Sequence, residues 1–510
     1  MTKRVSLTGG NLTFDDFISV TRGNAEVTIA DEALFRVKDS RRVVDALVAE
    51  GRPMYGINTG FGRFADVAIP EDELNLLQVN LILSDVCGVG DLLPKHVVRG
   101  MLLLRANSLA NGFSGVRPEL IETLTAMLNK GVHPLIPEKG SVGSSGDLCP
   151  LSHMVLPMLG MGDAEYRGQV MGGQEAMDKA GIPVIQLRAK EGLALINGTQ
   201  CMTSVGVHAL YDAIILAKSA DIAGALTTES LRGIINAFDP RIHAARRHKG
   251  QIDSASNLRK LLEGSEYITR QGEIRVQDAY SIRCTPQIHG ASRLALEYVS
   301  SVFETEINAV TDNPLVFTDS GDVFSGGNFH GQPMAIASDT LGIAVSEIGS
   351  VSERRIAKLV DPAMNHGLPA FLVKQGGINC GFMIPQYVAA ALVSENKVLA
   401  HPASVDSIPT SAGQEDHVSM GTIAARKAAV IVGHVKMILG IEIMSAAQAI
   451  DLQEKRRLGK GTEAAYKSVR EKIEMMENDR IFTKDQNAAA ELVGSGALLE
   501  AVERAAGPLA

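Results

Sequence analysis

The chain has 510 residues, 45% of them apolar and 21% charged, and a formal net charge of −9. This composition excludes a largely disordered chain. The negative balance, with no Lys/Arg cluster interleaved with aromatics, argues against nucleic acid as a partner. An odd count of five cysteines with no CxxC pair argues against a disulfide framework, so these read as reduced, mostly buried thiols; no metal-ligand spacing is present.

The opening Met1-Thr2-Lys3-Arg4-Val5 is not followed by an apolar signal region, and no uninterrupted apolar span is long enough to cross a bilayer. A cytoplasmic protein with no membrane partner is expected. Val27-Thr28-Ile29 is a short strand candidate. Tyr55-Gly56-Ile57-Asn58-Thr59-Gly60-Phe61-Gly62 is a glycine-rich loop that contains a tyrosine. Apolar residues at three-to-four spacing then predict helices over 74–83, 98–109 and 119–128.

A Gly/Pro-rich loop over 131–150 contains Gly140-Ser141-Val142-Gly143-Ser144-Ser145-Gly146-Asp147-Leu148. Glycine there permits backbone approaches that other residues resist, so the run reads either as a tight surface turn or as a segment whose amide nitrogen attacks a nearby carbonyl. A second strand candidate lies around 166–170, and the apolar Gly192 to Ile196 leads into Asn197-Gly198-Thr199. Helices are predicted over 292–308 and 336–359, with loops over 318–332 and 402–413. From Asp451 onward the chain is more charged and reads as a peripheral helical segment. These elements describe an N-terminal region over 1–205 and a helical remainder over 206–510.

Distant segments add polar, aromatic and charged groups: Gln277-Asp278-Ala279-Tyr280-Ser281-Ile282-Arg283-Cys284, Gly326-Gly327-Asn328-Phe329-His330-Gly331 and Gln414-Glu415-Asp416-His417. With them, and with Thr311-Asp312-Asn313-Pro314, Ser352-Glu353-Arg354-Arg355 and the stretch from Asn396-Lys397 to Pro409, the chain resembles nearly end to end the aromatic amino acid ammonia-lyases that use a methylidene-imidazolone (MIO) group, within them the histidine ammonia-lyases.

The resemblance implies a mainly α fold of the ammonia-lyase/fumarase-like type: a long central helical bundle, a smaller N-terminal region carrying the cofactor loop, and homotetramers with shared sites. It also implies that Ser144-Ser145-Gly146 cyclise with loss of water to give MIO, with no metal or diffusible cofactor. Ammonia is a poor leaving group, and the electrophile helps it leave. Tyr55 matches the general base that removes the weakly acidic β-proton, which requires a site that favours its phenolate. Asn197, Gln277, Tyr280 and Asn328 match positions that hydrogen-bond the cofactor ring or the substrate amine. Arg283 matches the partner of the substrate carboxylate, Phe329 an aromatic beside the cofactor, and Ser84, Asp85, Gln414 and Glu415 the substrate-facing positions.

Three residues depart from the histidine enzymes' pattern. Ser144 stands where Ala is usual, Asp85 where His is usual, and Gly413 where Asn is usual, the last expected to loosen the loop of Glu415. Two carboxylates near one pocket favour a cationic side chain or push one carboxyl toward its protonated form. The expected reaction is therefore elimination of ammonia from an amino acid to give an α,β-unsaturated acid, with L-histidine to urocanate the leading case. The alternatives are a lyase for another cationic or polar amino acid, a 2,3-aminomutase, and an inactive binding homologue.

Overall fold

The computed structural model describes residues 3–51 and 53–510. It is mainly α-helical, and among the described residues the strands form four small sheets rather than one large one. The chain divides into two compact units: Met1–His208, Ser300–Ser338 and Pro402–Arg426 in unit 1, and Ala209–Val299, Asp339–His401 and Lys427–Ala510 in unit 2.

Unit 1 is built around the helix Lys95–Ala110, in which every residue from Val97 to Ala110 is buried. A helix apolar or satisfied on all sides belongs inside a layer of other elements. Its neighbour Pro118–Lys130 starts with proline in the first turn and stops at Gly131, whose φ of 76° suits glycine. Val44, Ile57, Leu74, Ala189 and Val316 form an apolar cluster at the root of the tyrosine loop. The strand expected around 166–170 is a hairpin, Asp163–Tyr166 with Gln169–Gly172. Its two-residue turn, Arg167-Gly168, holds both φ angles positive (51° and 82°), a geometry that Asn-Gly would have signalled and Arg-Gly does not. Inside the expected loop 131–150, the strands Val132–Pro134 and Pro137–Lys139 and the start of the helix Leu148–Val155 are additional elements.

Unit 2 holds most of the long helices Gln200–Ser230, Thr285–Glu306, Gln332–Val360 and Gly421–Asp451. At 31 residues the longest span about 46 Å. The helix expected from Ser292 begins at Thr285, with Pro286 in its first turn as the start signal. Two of these helices, Gln332–Val360 and Gly421–Asp451, are long and apolar enough to cross a bilayer, contrary to the sequence reading; 67% of each apolar window is buried within the protein, which makes them core helices. The charged C-terminal segment is helical, over Lys460–Arg470, Phe482–Gly494 and Ala497–Ala506. All five cysteines are free, but only Cys149 and Cys201 are buried; Cys87 and Cys380 are exposed and Cys284 is half-buried, so the expectation of mostly buried thiols is corrected.

The core of unit 2 carries a buried ion pair. Arg355 donates to both oxygens of Glu442, from Nε at 2.5 Å and from Nη2 at 2.8 Å, while Thr227 and Ser352 supply further hydroxyl donors at 2.8 and 2.6 Å. Both side chains of the pair are fully buried. Removing one partner leaves an uncompensated charge in the core. Arg355→Ala should therefore lower the unfolding free energy by about 3–5 kcal/mol, and the joint replacement Arg355→Met with Glu442→Leu by much less, as read from denaturant unfolding.

Candidate functional site

The Ser144-Ser145-Gly146 segment is held by a close backbone approach. Gly146 pairs with Gly198, and the amide of Asp147 donates to the Gly198 carbonyl at 2.7 Å. A Cβ on Gly146, whose φ is +80°, would lie 2.2 Å from that carbonyl oxygen, so glycine is required there. Ser145 sits at φ +49°, in the left-handed region that non-glycine residues rarely occupy and that marks functional loops when the surroundings enforce it. Beneath the loop, Asp147 is fully buried. It accepts from Ser141 Oγ at 3.1 Å, from Thr422 Oγ1 and from the Met202 amide at 2.9 Å, and burial still pushes its carboxyl up to about 6. On the far side, Met420 N–H donates to Val142 O at 2.9 Å, bringing the 402–426 segment against the loop.

That segment delivers Glu415. Its Oε2 accepts from the Ser144 hydroxyl and from Thr410 Oγ1 at 2.9 Å, and its Oε1 from Ser145 Oγ at 3.0 Å. The backbone of Thr410 and Glu415 forms a two-bond bridge around the turn Ser411–Gly413. All three turn residues have positive φ, and at +85° Gly413 adopts its angle without a side chain to strain. The expected loosening is therefore opposed by the Thr410–Glu415 bridge.

Tyr55 and Asp85 complete this side of the site. Burial lifts the Tyr55 phenol above its usual value, a hydrogen bond with the Gly62 backbone pulls it back, and the charge of Glu415 lifts it again. None of these three influences is a cation, and their net effect disfavours the phenolate that a general base requires. Asp85 ends the helix Leu74–Asp85. Burial raises its carboxyl to about 6, a hydrogen bond from Ser84 opposes this, and Glu415 adds to it. Ser84, itself exposed, reaches Asp85 Oδ1 at 3.4 Å, whereas Oδ2 is buried with no partner.

Asn197 is buried next to Gly198; its amide nitrogen donates to Asn313 O at 3.1 Å, and its Oδ1 has no partner. Arg105, fully buried and absent from the sequence reading, donates to the Asn197 carbonyl at 2.6 Å. Asn328 donates to Val310 O at 3.2 Å. The loop of Asn328 and the half-buried Phe329 meets the Glu415 segment through His330, which stacks on His417 at 5.9 Å. Gln414 is exposed. Tyr55, Ser84, Asp85, Ser144–Gly146, Asn197, Asn328, Phe329, Gln414 and Glu415 thus all belong to unit 1.

Gln277, Tyr280 and Arg283 belong to unit 2. Gln277 and Arg283 line a cavity of about 270 Å³ there with Asn236, Gln271 and Asp278. Arg283 donates from Nε to Asp278 O at 2.9 Å and lies over the exposed Tyr280 ring at 4.6 Å.

The raised Asp85 carboxyl has a signed consequence. The folded chain holds this proton up to about pH 6 while the unfolded chain releases it near its usual 3.8, so ionisation destabilises the fold as pH rises through that window. Asp85→Asn should raise the melting temperature at pH 8 and give no gain at pH 4, as followed by thermal unfolding across that range.

Residues 12–471 match the family described as aromatic amino acid lyases. The chain is 60% identical over 510 residues to histidine ammonia-lyase 2 of Fusobacterium nucleatum subsp. nucleatum, with all of both chains covered. Among solved structures, histidine ammonia-lyase from Trypanosoma cruzi is 45% identical with a TM-score of 0.92, covering 98% of this chain and 95% of that one. Tyrosine aminomutase from Streptomyces globisporus is 36% identical with a TM-score of 0.94, covering 98% and 99%. A family match over residues 12–471, with likenesses that run the length of the chain, leaves one conclusion: the chain belongs to the aromatic amino acid lyase family.

Proposed function

We propose that this chain is an ammonia-lyase that converts L-histidine to urocanate and ammonium, using an MIO group made from Ser144, Ser145 and Gly146. The observation that carries the reading is the cofactor loop. Its glycine is pressed against Gly198, its central serine is held left-handed, and the Ser145 hydroxyl that must leave is bonded to Glu415. In cyclisation the Gly146 nitrogen would bond the Ser144 carbonyl carbon, whose oxygen would leave as water with the Gly146 and Ser145 amide hydrogens as a C=N bond forms to the Ser145 nitrogen; Ser145 would then lose its Cα hydrogen and its Oγ as a second water. A backbone in which Gly146 carries no side chain and Ser145 already turns sharply fits that group.

When formed, the MIO group would supply an electrophilic carbon that makes the substrate amine a better leaving group. Tyr55 is the base for the β-proton. Burial and the charge of Glu415 lift its phenol, so a cation brought in with the substrate would favour its phenolate. By the family's pattern Asn197, Asn328, Gln277 and Tyr280 would hydrogen-bond the cofactor ring or the amine, and Phe329 would lie beside the ring. The Arg283 fork suits the substrate carboxylate. Ser84, Asp85, Gln414 and Glu415 face the substrate side chain, with two acids matched to an imidazolium or to an imidazole donating both N–H groups. The choice of histidine is supported by the relatives' substrate and by these acids. The protein works as a cytoplasmic homotetramer with sites shared among subunits.

The buried, unpartnered Oδ2 of Asp85 also favours a second reading, a lyase for another amino acid with a cationic side chain. Intact mass of the purified chain should fall short of its sequence by two waters, and Ser145→Ala should restore the lost mass and abolish turnover. L-Histidine should generate ultraviolet absorbance, and Tyr55→Phe should lower kcat by about 10²–10⁴-fold. Product from arginine or lysine with none from histidine would select the second reading; a β-amino acid in the mixture would mark a 2,3-aminomutase instead.

A further inference from the structure

Glu415 is the one acid among the candidate site residues with donors on both carboxylate oxygens, and the two sets of donors have different fates. Oε1 is held by Ser145 Oγ at 3.0 Å. Oε2 is held by the Ser144 hydroxyl and by Thr410 Oγ1 at 2.9 Å, and these two hydroxyls are 3.1 Å from each other. Cofactor formation expels the Ser145 oxygen as water. It takes only the carbonyl of Ser144 into the ring, so the Ser144 hydroxyl stays outside it, and Thr410 is untouched.

We propose that Ser144 and Thr410 are positioning residues that hold Oε2 of Glu415, so that loss of the Ser145 hydroxyl frees Oε1 for the substrate. This rests on the reading that residues 144–146 cyclise.

Three physical points support it. A half-buried carboxylate with two hydroxyls on one oxygen keeps its orientation when the other oxygen is released, because charge-assisted hydrogen bonds are strong and two converging donors fix the plane. The backbone bridge between Thr410 and Glu415 ties one of these donors to the acid it serves, so the two move together. The freed oxygen, now short of a donor, is the acceptor an incoming ammonium or ring N–H satisfies. The maturation step would thus also open the site, since the group that leaves is the one that had capped Oε1.

The test uses the full chain and the variants Ser144→Ala, Ser144→Thr, Thr410→Val and Thr410→Ser, with 3-(imidazol-4-yl)propanoate as a non-reacting probe. Intact mass is measured first, then the dissociation constant of the probe by calorimetry, the melting temperature, and KM against kcat. Ser144→Ala and Thr410→Val should lose both waters like the parent and melt like it. They should bind the probe about tenfold more weakly, the effect of losing one hydrogen bond to a charged group, and KM should rise more than kcat falls. Ser144→Thr and Thr410→Ser, which keep the hydroxyl, should bind as the parent does. Fully dehydrated Ser144→Ala and Thr410→Val with parental affinity would overturn the proposal. So would failure of these two variants alone to dehydrate, because the hydroxyls would then serve maturation, and so would a dehydrated parent that does not bind the probe. A parent that keeps both waters would overturn the MIO reading itself, a distinct result visible in the mass alone.

Discussion

The site depends on two glycine backbones being allowed to touch. Gly146 and Gly198 approach so closely that a Cβ on the first would strike the carbonyl of the second, and a Cβ on Gly198 would lie 2.6 Å from Gln200 Oε1 and Thr311 Oγ1. Such contact buries backbone polar groups, each of which costs free energy unless it is paired. Arg105 satisfies the Asn197 carbonyl, Asp147 N–H satisfies that of Gly198, and Ser141 Oγ donates to Gly146 O at 3.2 Å. Behind them Lys190 and Asp312, both fully buried, meet at 2.6 Å. Several buried polar groups of unit 1 thus gather around one contact that glycine alone permits.

The acids near that contact divide by how well they are satisfied. Asp147 and Asp85 are both raised to about 6, chiefly by burial. Asp147 nevertheless accepts hydrogen bonds on both oxygens from parts of the chain far apart in sequence, which is the work of an acid that pins segments together. Asp85 has one long contact and one orphaned oxygen. An acid left short of donors in a partly buried position is held there at a cost to the fold, and a ligand that supplies the missing donor recovers that cost. The same residue type at the same shifted value thus points to architecture in one case and to recognition in the other.

What the sequence made legible follows from the range of the forces involved. Helices such as Leu74–Asp85 and Lys95–Ala110 are written in local periodicity, and the expected boundaries fall within a few residues of the observed ones. The hairpin at Arg167-Gly168 was missed because its turn lacks the residues that announce it, and the strands inside 131–150 are too short to show alternation. Within the site, the chemistry-bearing residues stood out in motifs. Their supports did not: Arg105 lies in a helix that reads as plain core, and Thr410 in a stretch that reads as a loop. Their roles arise from contacts across 92 and 266 positions of sequence, which no local pattern encodes.

The three departures from the histidine-enzyme pattern converge on one carboxylate. Ser144 adds a hydroxyl donor to Glu415, Asp85 is raised in part by the charge of Glu415, and Gly413 sits in the turn that joins Thr410 to Glu415. The charge of Glu415 helps burial hold Asp85 toward its protonated form, whereas the Ser144 hydroxyl on Oε2 fixes how Glu415 is oriented. Glycine at φ +85° then lets the turn close so that Thr410 donates to the same oxygen. Positions far apart along the sequence thus meet in space around one side chain: Ser144 and the Gly413 turn bear on how Glu415 is held, and Asp85 is raised in part by its charge.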